Sequence, residues 1–221
     1  MKADTATNKT LFDFQAATHS PAWEVVNDDV MGGVSISQFQ VLTNGCTVFS
    51  GMVRLENNGG FASVRSAPLR ENLTGLAAFV LRVRGDGRSY KFSVRTGVSF
   101  DTPLYQCSFT TKLGEWEEYR LPFNDFVPTF RGRILTDVPP LNPANVTSVG
   151  FLISDKQEGP FKLEVAWIKS AESSTALPSR RAARAPTRKL HPFRLPNSIF
   201  FPCFGRISLD NATSSKPLNI N

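Results

Sequence analysis

Between residues 11 and 169 hydrophobic and polar positions alternate with a period of two. Phe49, Gly51, Val53 and Leu55 interleave with Ser50, Met52, Arg54 and Glu56; Phe79, Leu81 and Val83 with Val80, Arg82 and Arg84; Tyr90, Phe92 and Val94 with Lys91, Ser93 and Arg95. Phe161, Leu163, Val165 and Trp167 close the series. Such alternation sets one face of each strand on a core and the other toward solvent, which is the habit of antiparallel sheets. No stretch of ten or more residues shows helical periodicity. The pattern predicts strands near 11–15, 23–27, 34–42, 46–55, 61–66, 76–84, 89–96, 104–111, 115–121, 148–154 and 160–169. Turn chemistry separates them at Asn44-Gly45, Asn58-Gly59, Gly85-Asp86-Gly87 and Glu158-Gly159-Pro160. Gly85-Asp86-Gly87 has no helix after it to aim N–H groups at a phosphate, so it reads as a hairpin turn. Pro122, Pro128, Pro139, Pro140 and Pro143 bar the stretch from Pro122 to Asn145 from being a central strand. It reads as a long surface connection with one short helical turn at Pro143-Ala144-Asn145. Strands at this spacing predict an all-β, two-sheet antiparallel β-sandwich.

Two glycine-paired loops interrupt the alternation. Asn27-Asp28-Asp29-Val30-Met31-Gly32-Gly33 and Asn57-Asn58-Gly59-Gly60-Phe61 each join strand-like stretches. Paired glycines predict a backbone that enters positive φ twice in succession, as tight turns, bulges and close approaches of main chain to another surface require.

The net charge of +6 is not spread evenly. Residues 1–169 hold 17 Lys+Arg and 17 Asp+Glu, whereas residues 170–221 hold 8 and 2. The neutral body, without interleaved aromatic and basic residues, argues against a nucleic-acid interface despite the sequence pI of about 9.5. Beyond Ser170 the composition turns to Ser, Ala, Pro and Arg, so 170–221 is expected to be a basic, disordered tail, with 11–169 the folded domain and 1–10 a flexible N-terminus. Within that tail Ile199-Phe200-Phe201-Pro202-Cys203-Phe204 is an apolar island. No stretch approaches the roughly 20 apolar residues of a membrane span, and the first ten residues have neither an apolar core nor arginines, so neither a secretory signal nor a mitochondrial presequence is read there.

Catalytic and metal chemistry is hard to assemble. His19 is the one conceivable base in the domain, no GxSxG elbow occurs, and Glu117 and Glu118 point to opposite faces of one strand. Cys46, Cys107 and Cys203 show no CxxC spacing, and the first two read as buried packing thiols in a reducing compartment. Asp28 and Asp29 share a loop and suit an Asx-turn better than a Ca²⁺ site. The sequence therefore predicts no catalytic residues, no metal and no cofactor; with no strand–GxGxxG–helix unit, NAD binding is excluded.

The order Trp23-Glu24-Val25-Val26-Asn27-Asp28, the two glycine loops, Gly87-Arg88-Ser89-Tyr90-Lys91-Phe92, the Tyr105-Gln106 strand, Trp116 ahead of Leu121-Pro122-Phe123, Val149-Gly150-Phe151-Leu152-Ile153-Ser154-Asp155-Lys156-Gln157 and Gly159-Pro160-Phe161 resembles the complex I intermediate-associated protein 30 family over about 11–169. The resemblance implies a galactose-binding-like jelly roll and a non-enzymatic assembly factor. Its partners would be protein subunits of respiratory complex I assembly intermediates, in mitochondria if the source is eukaryotic and in the cytoplasm if bacterial. The alternative is a carbohydrate-binding-module-like domain, against which Trp23, Trp116 and Trp167 are dispersed, two of them in core-like positions. Binding is expected at the glycine loops (Asp28, Gly32, Gly33, Asn58, Gly59, Gly60), with Trp23, Met31 and Phe61 either apolar anchors beside them or core plugs. Arg82, Arg84, Lys91, Arg95 and Arg65 lie on the non-core side of their strands; if those strands pair they line one sheet face, either a solvated surface or a recognition surface.

Overall fold

The computed structural model describes residues 8–15, 22–42, 45–69, 71–97, 99 and 102–173. The expectations for the tail beyond 173, for residues 1–7, and for His19 and Cys203 lie outside these. The described chain is a sandwich of two antiparallel sheets, as the alternation predicts. One sheet contains β3 (Ile36–Val41), β4 (Thr47–Val53), β13 (Gly159–Ala171), β6 (Ala78–Arg84) and β9 (Trp116–Pro122) in that order, and β1 (Asn8–Asp13) also pairs with β13. The other runs β11 (Arg133–Ile134), β10 (Val127–Phe130), β8 (Leu104–Thr110), β7 (Ser89–Arg95), β12 (Ser148–Ile153), β5 (Ala62–Ser66) and β2 (Trp23–Asn27). β1 starts at Asn8, inside the segment expected to be flexible, because Asn8, Lys9 and Thr10 pair with Ala171, Ser170 and Lys169; the same pairing carries β13 through buried Ser170 and Ala171, which were expected to open the tail.

Most consecutive strands change sheet, and this corrects the reading of the turns. Gly85-Asp86-Gly87 is not a hairpin: β6 and β7 belong to different sheets, and the turn carries the chain across the sandwich. Asp86 fixes that crossing by accepting from Tyr90 Oη at 3.0 Å and from the Lys162 amide at 2.8 Å. The loop from β12 to β13 crosses back and is clamped by Arg88, just before β7, and by Ser89, its first residue. Arg88 donates to the carbonyls of Gln157 and Glu158 at 2.8 and 3.0 Å, while the Gln157 side-chain amide exchanges two hydrogen bonds with the Ser89 backbone, as a neighbouring strand would.

Inward positions are those the alternation marks: Phe49, Phe79, Leu81, Val83, Tyr90, Phe92, Val94, Leu163 and Val165 are fully buried. Trp167 departs from the series because a bulge between Val165 and Trp167 shifts the phase, burying Ala166 and Ile168 and turning the indole outward. The proline-rich segment is not merely a surface connection. It contributes β10 and β11 at a sheet edge, where Pro128 is tolerated. Phe123 and Phe126 pack on Phe79 with ring centroids 5.0 and 5.6 Å apart, and so close the core. A 3₁₀ turn spans Pro143–Asn145, with Asn142 accepting from the Ala144 amide.

Candidate functional site

The two glycine loops meet, and one carboxylate joins them. Asp28 opens a 3₁₀ turn over Asp28–Met31 and is fully buried. Its Oδ1 accepts from the Ser35 amide at 2.9 Å; Oδ2 accepts from Ser35 Oγ at 2.6 Å and from the amides of Gly60 and Phe61 at 2.7 and 3.2 Å. Asn57 Nδ2, from the second loop, donates to the Gly32 carbonyl at 3.1 Å. Burial alone would raise the Asp28 pKa, but these donors outweigh it and hold the carboxyl below its ordinary value.

This arrangement corrects two expectations. Each glycine pair enters positive φ once rather than twice, at Gly32 (φ 87°) and Gly60 (φ 123°). Gly33 and Gly59 are glycines for a different reason: a Cβ there would lie 2.3 Å from Asp28 Cγ and 2.6 Å from Asp28 Oδ2 respectively. Asp28 forms no Asx-turn, since its donors come from Ser35 and from the other loop, and a cation would have to displace those donors. Asp29 does bond locally, accepting from the Val30 amide. Among the described residues no group of three His, Cys, Asp or Glu side chains could hold a metal ion.

The predicted apolar anchors divide. Trp23 is a core plug, stacked on Phe39 at 4.6 Å and tilted on Phe12 at 5.1 Å. Phe61 is half-buried, and Met31 is 60 % exposed at the tip of its turn. Further exposed apolar residues, which sequence reasoning missed, are Val30 (69 %) beside Met31, Val34 (43 %) and Ile36 (66 %) either side of Ser35, and Leu55 (36 %) next to Arg54, whose amide donates to Ser35. Asn58 holds the turn at φ 59°.

The arginines do not form one face. Because β6 and β7 lie in different sheets, Arg82 and Arg84 sit on the outside of the six-stranded sheet, and Arg65, Lys91 and Arg95 on the outside of the seven-stranded sheet, across the sandwich. Arg82 pairs with Glu118 at 3.2 Å, Arg65 Nε with Glu24 at 3.0 Å and Lys91 with Asp155 at 2.7 Å. Arg84 Nε donates to Glu164 at 3.1 Å, and Lys162 bonds the other oxygen of that buried carboxylate at 2.8 Å. Burial would raise the Glu164 pKa, yet the two cations hold it below normal. Trp116 lies under Arg84 and Arg82, 5.1 and 5.8 Å from their guanidinium carbons, and Trp167 under Lys169 at 4.2 Å, so two indoles are on the outer face rather than in the core. On the opposite sheet Glu24, Arg65, Arg95, Thr147 and Ser148 line a hollow of about 400 Å³. There burial, and then the charge of Arg65, lowers the Arg95 pKa.

The architecture is that of a galactose-binding-like jelly roll. The family 11 carbohydrate-binding module of the Clostridium thermocellum cellulase Lic26A-Cel5E matches 76 % of this chain and 95 % of its own with a TM-score of 0.57 at 17 % identity. A further structure of that module, in complex with a mixed-linked tetrasaccharide, matches with a TM-score of 0.56 at 18 % identity, covering 75 % of this chain and 95 % of its own. At such identity the likeness is one of fold.

The family model of Complex I intermediate-associated protein 30 (CIA30) matches residues 12–165, and the chain belongs to that family. The Drosophila melanogaster protein named Complex I intermediate-associated protein 30, mitochondrial, is 28 % identical over 180 residues, which is 72 % of this chain and 61 % of the relative. The Mus musculus protein of the same name is 37 % identical over 92 residues, 40 % of this chain and 28 % of the relative. The chain thus spans under two thirds of the length of these relatives.

Proposed function

We propose that the protein is a non-enzymatic assembly factor that binds subunits of partly built respiratory complex I and leaves when the permanent neighbour arrives. Family membership supports the link to complex I. The observation that carries a binding role is the apolar side chains exposed on the first stapled loop and beside it, Val30, Met31, Val34, Ile36 and Leu55, all at least 36 % exposed. Exposed apolar residues gathered at one corner mark an interaction site better than scattered ones do. Asp28 makes that corner rigid, so docking costs little ordering entropy. The protein would act wherever complex I is built, which for the relatives named above is the mitochondrion. Among the described residues no helix is long and apolar enough to cross a membrane, so membrane association would come through the partner.

The test is affinity capture of complex I intermediates from native membranes of the source organism by the wild-type chain and by Met31→Glu with Val30→Glu. Withdrawing two apolar side chains worth about 1.5–3 kcal/mol each is expected to weaken capture at least tenfold without moving the melt. Equal capture by the variant would refute a role for the loops, and no capture by the wild type would refute the assembly reading. The glycan reading has one observation in its favour, the outward placement of Trp116 and Trp167. Their stacked cations occupy ring faces that a sugar would need, and binding to a glycan array that Trp116→Ala abolishes would restore it.

A further inference from the structure

The segment from Val30 to Val53 holds 24 residues and not one Asp, Glu, Lys, Arg or His, in a chain of which 20 % is charged. It comprises the exposed turn of the first glycine loop, then β3 and β4. β3 ends the main path of its sheet: β4 pairs one side of it, and no described strand pairs the other. The other strands that end or flank the sheets all carry charge: Lys9 and Asp13 on β1, Glu24 on β2, Glu117, Glu118 and Arg120 on β9, and Arg133 on β11. Charges on an edge strand are the usual guard against pairing with a foreign strand, since a partner would have to bury them. Among the described edge strands β3 alone lacks this guard, and it contains no proline. It has a fixed register and two distinct sides: Phe39 turns inward onto Trp23, while Ile36, Gln38 and Gln40 are exposed.

We propose, building on the assembly-factor reading, that β3 is an acceptor edge. An extended, charge-free segment of the partner polypeptide adds to it as a further strand and continues onto the apolar loop surface at Val34 and Met31. Backbone hydrogen bonds along β3 supply affinity that is independent of side chains, and the apolar loop selects the partner residues that extend past the added strand. The absence of charge fits a partner segment that is itself uncharged, because neither side then loses a hydrated ion. A foreign strand fits better than a second copy. β3 has six residues, about 20 Å of strand. Antiparallel self-pairing would set each loop patch beyond the Val41 end of the other copy and leave it uncovered, whereas a foreign segment of about eight to ten residues reaches both.

The experiment measures amide hydrogen exchange of the full chain, alone and bound to intermediates captured from native membranes, together with capture by Gln38→Lys. Gln38 is exposed, so its lysine variant is expected to keep the wild-type melt. Peptides covering 36–41 are expected to exchange at least about tenfold more slowly in the bound chain, those covering 116–122 to be unchanged, and Gln38→Lys to capture at least tenfold less. Intermediates captured with no protection of 36–41, or captured equally by Gln38→Lys, would overturn the acceptor edge while leaving the assembly reading standing. Absence of capture by the wild type would overturn both. Protection of 36–41 in the isolated chain that grows with its concentration and vanishes in Gln38→Lys would assign the edge to a second copy and overturn the foreign strand.

Discussion

Gly59→Ala should destabilise the domain only while Asp28 is present. Gly59 has φ −68°, which alanine adopts without strain, so the obstacle is space. Its new Cβ would lie 2.6 Å from Asp28 Oδ2 and 3.0 Å from the Glu56 carbonyl oxygen. Oδ2 accepts three of the carboxylate's four hydrogen bonds, so pushing it aside both overpacks the site and loosens those bonds. Overpacking costs about 1–3 kcal/mol and a weakened charge-assisted bond adds about 1–2, for a total near 3 kcal/mol. Asp28→Ala removes the acceptor from Ser35, Gly60 and Phe61 and should cost about 3 kcal/mol by itself. In the double variant the methyl at 59 meets only Glu56, so the expected loss is about 3–4 kcal/mol rather than the additive value of about 6. Urea unfolding followed by circular dichroism for the four proteins measures the cycle, and each single variant should also lower Tm by roughly 6–12 °C. Additivity within about 0.5 kcal/mol would show that Gly59 and Asp28 do not share space, and the staple would be wrong.

Acid should unfold the protein through the same carboxylate. Asp28 and Glu164 are both held below their unfolded values of 3.8 and 4.5, so their stabilisation is complete above those values and is lost as pH falls from them through the lower folded ones. Asp28→Asn is accordingly expected to flatten the stability curve below pH 4, and an unchanged acid limb would contradict the assignment. The Cys107 thiol is pushed up to about 11 by burial and then by the charge of Asp125. Peptide-resolved alkylation at pH 8 should label it at least about 100-fold more slowly in the native than in the unfolded chain, and equal rates would place the thiol at the surface. Gln157→Ala strips the pairing of Ser89 and the bond to the Ser154 carbonyl. It should cost about 2–3 kcal/mol, seen as a Tm lowered by roughly 4–12 °C, whereas an unmoved melt would mean that water replaces the amide at no cost.

Strand positions were legible because alternation is a direct print of burial on one face. Phe79, Leu81 and Val83 turn inward as their spacing says, and so do Tyr90, Phe92 and Val94. What alternation does not encode is which sheet a strand joins. β6 and β7 are separated by a short glycine turn that reads as a hairpin, and only Asp86, bonded to Tyr90 and to Lys162 on β13, shows that the chain crosses the sandwich there. The supposed single arginine face failed for that reason alone. Trp167 was misplaced because a bulge inserts one residue and reverses the alternation after it, with no local residue type to announce it. Of the candidate site, the glycine loops were visible by composition. Their shared cause was not, because Ser35 and Gly60 reach Asp28 from 7 and 32 residues away.

The sequence pieces that carry the family resemblance turn out to hold one another. Asp28 in the first loop binds Gly60 and Phe61 in the second, and Arg88 and Ser89, leading into β7, bind Gln157 and Glu158 in the loop before β13. Residues so engaged have spent their hydrogen-bonding capacity on the fold, and a partner could use them only by breaking it. If this corner is the docking site proposed above, recognition would fall to groups the framework leaves outward and unspent. On the stapled corner these are Val30, Met31, Val34 and Ile36, side chains that form no part of the hydrogen-bonded lock but whose position the lock determines. A variant of Asp28 is therefore expected to affect binding only by way of loop order, whereas a variant of Met31 should affect binding without touching stability, and that separation distinguishes a scaffold residue from a contact residue.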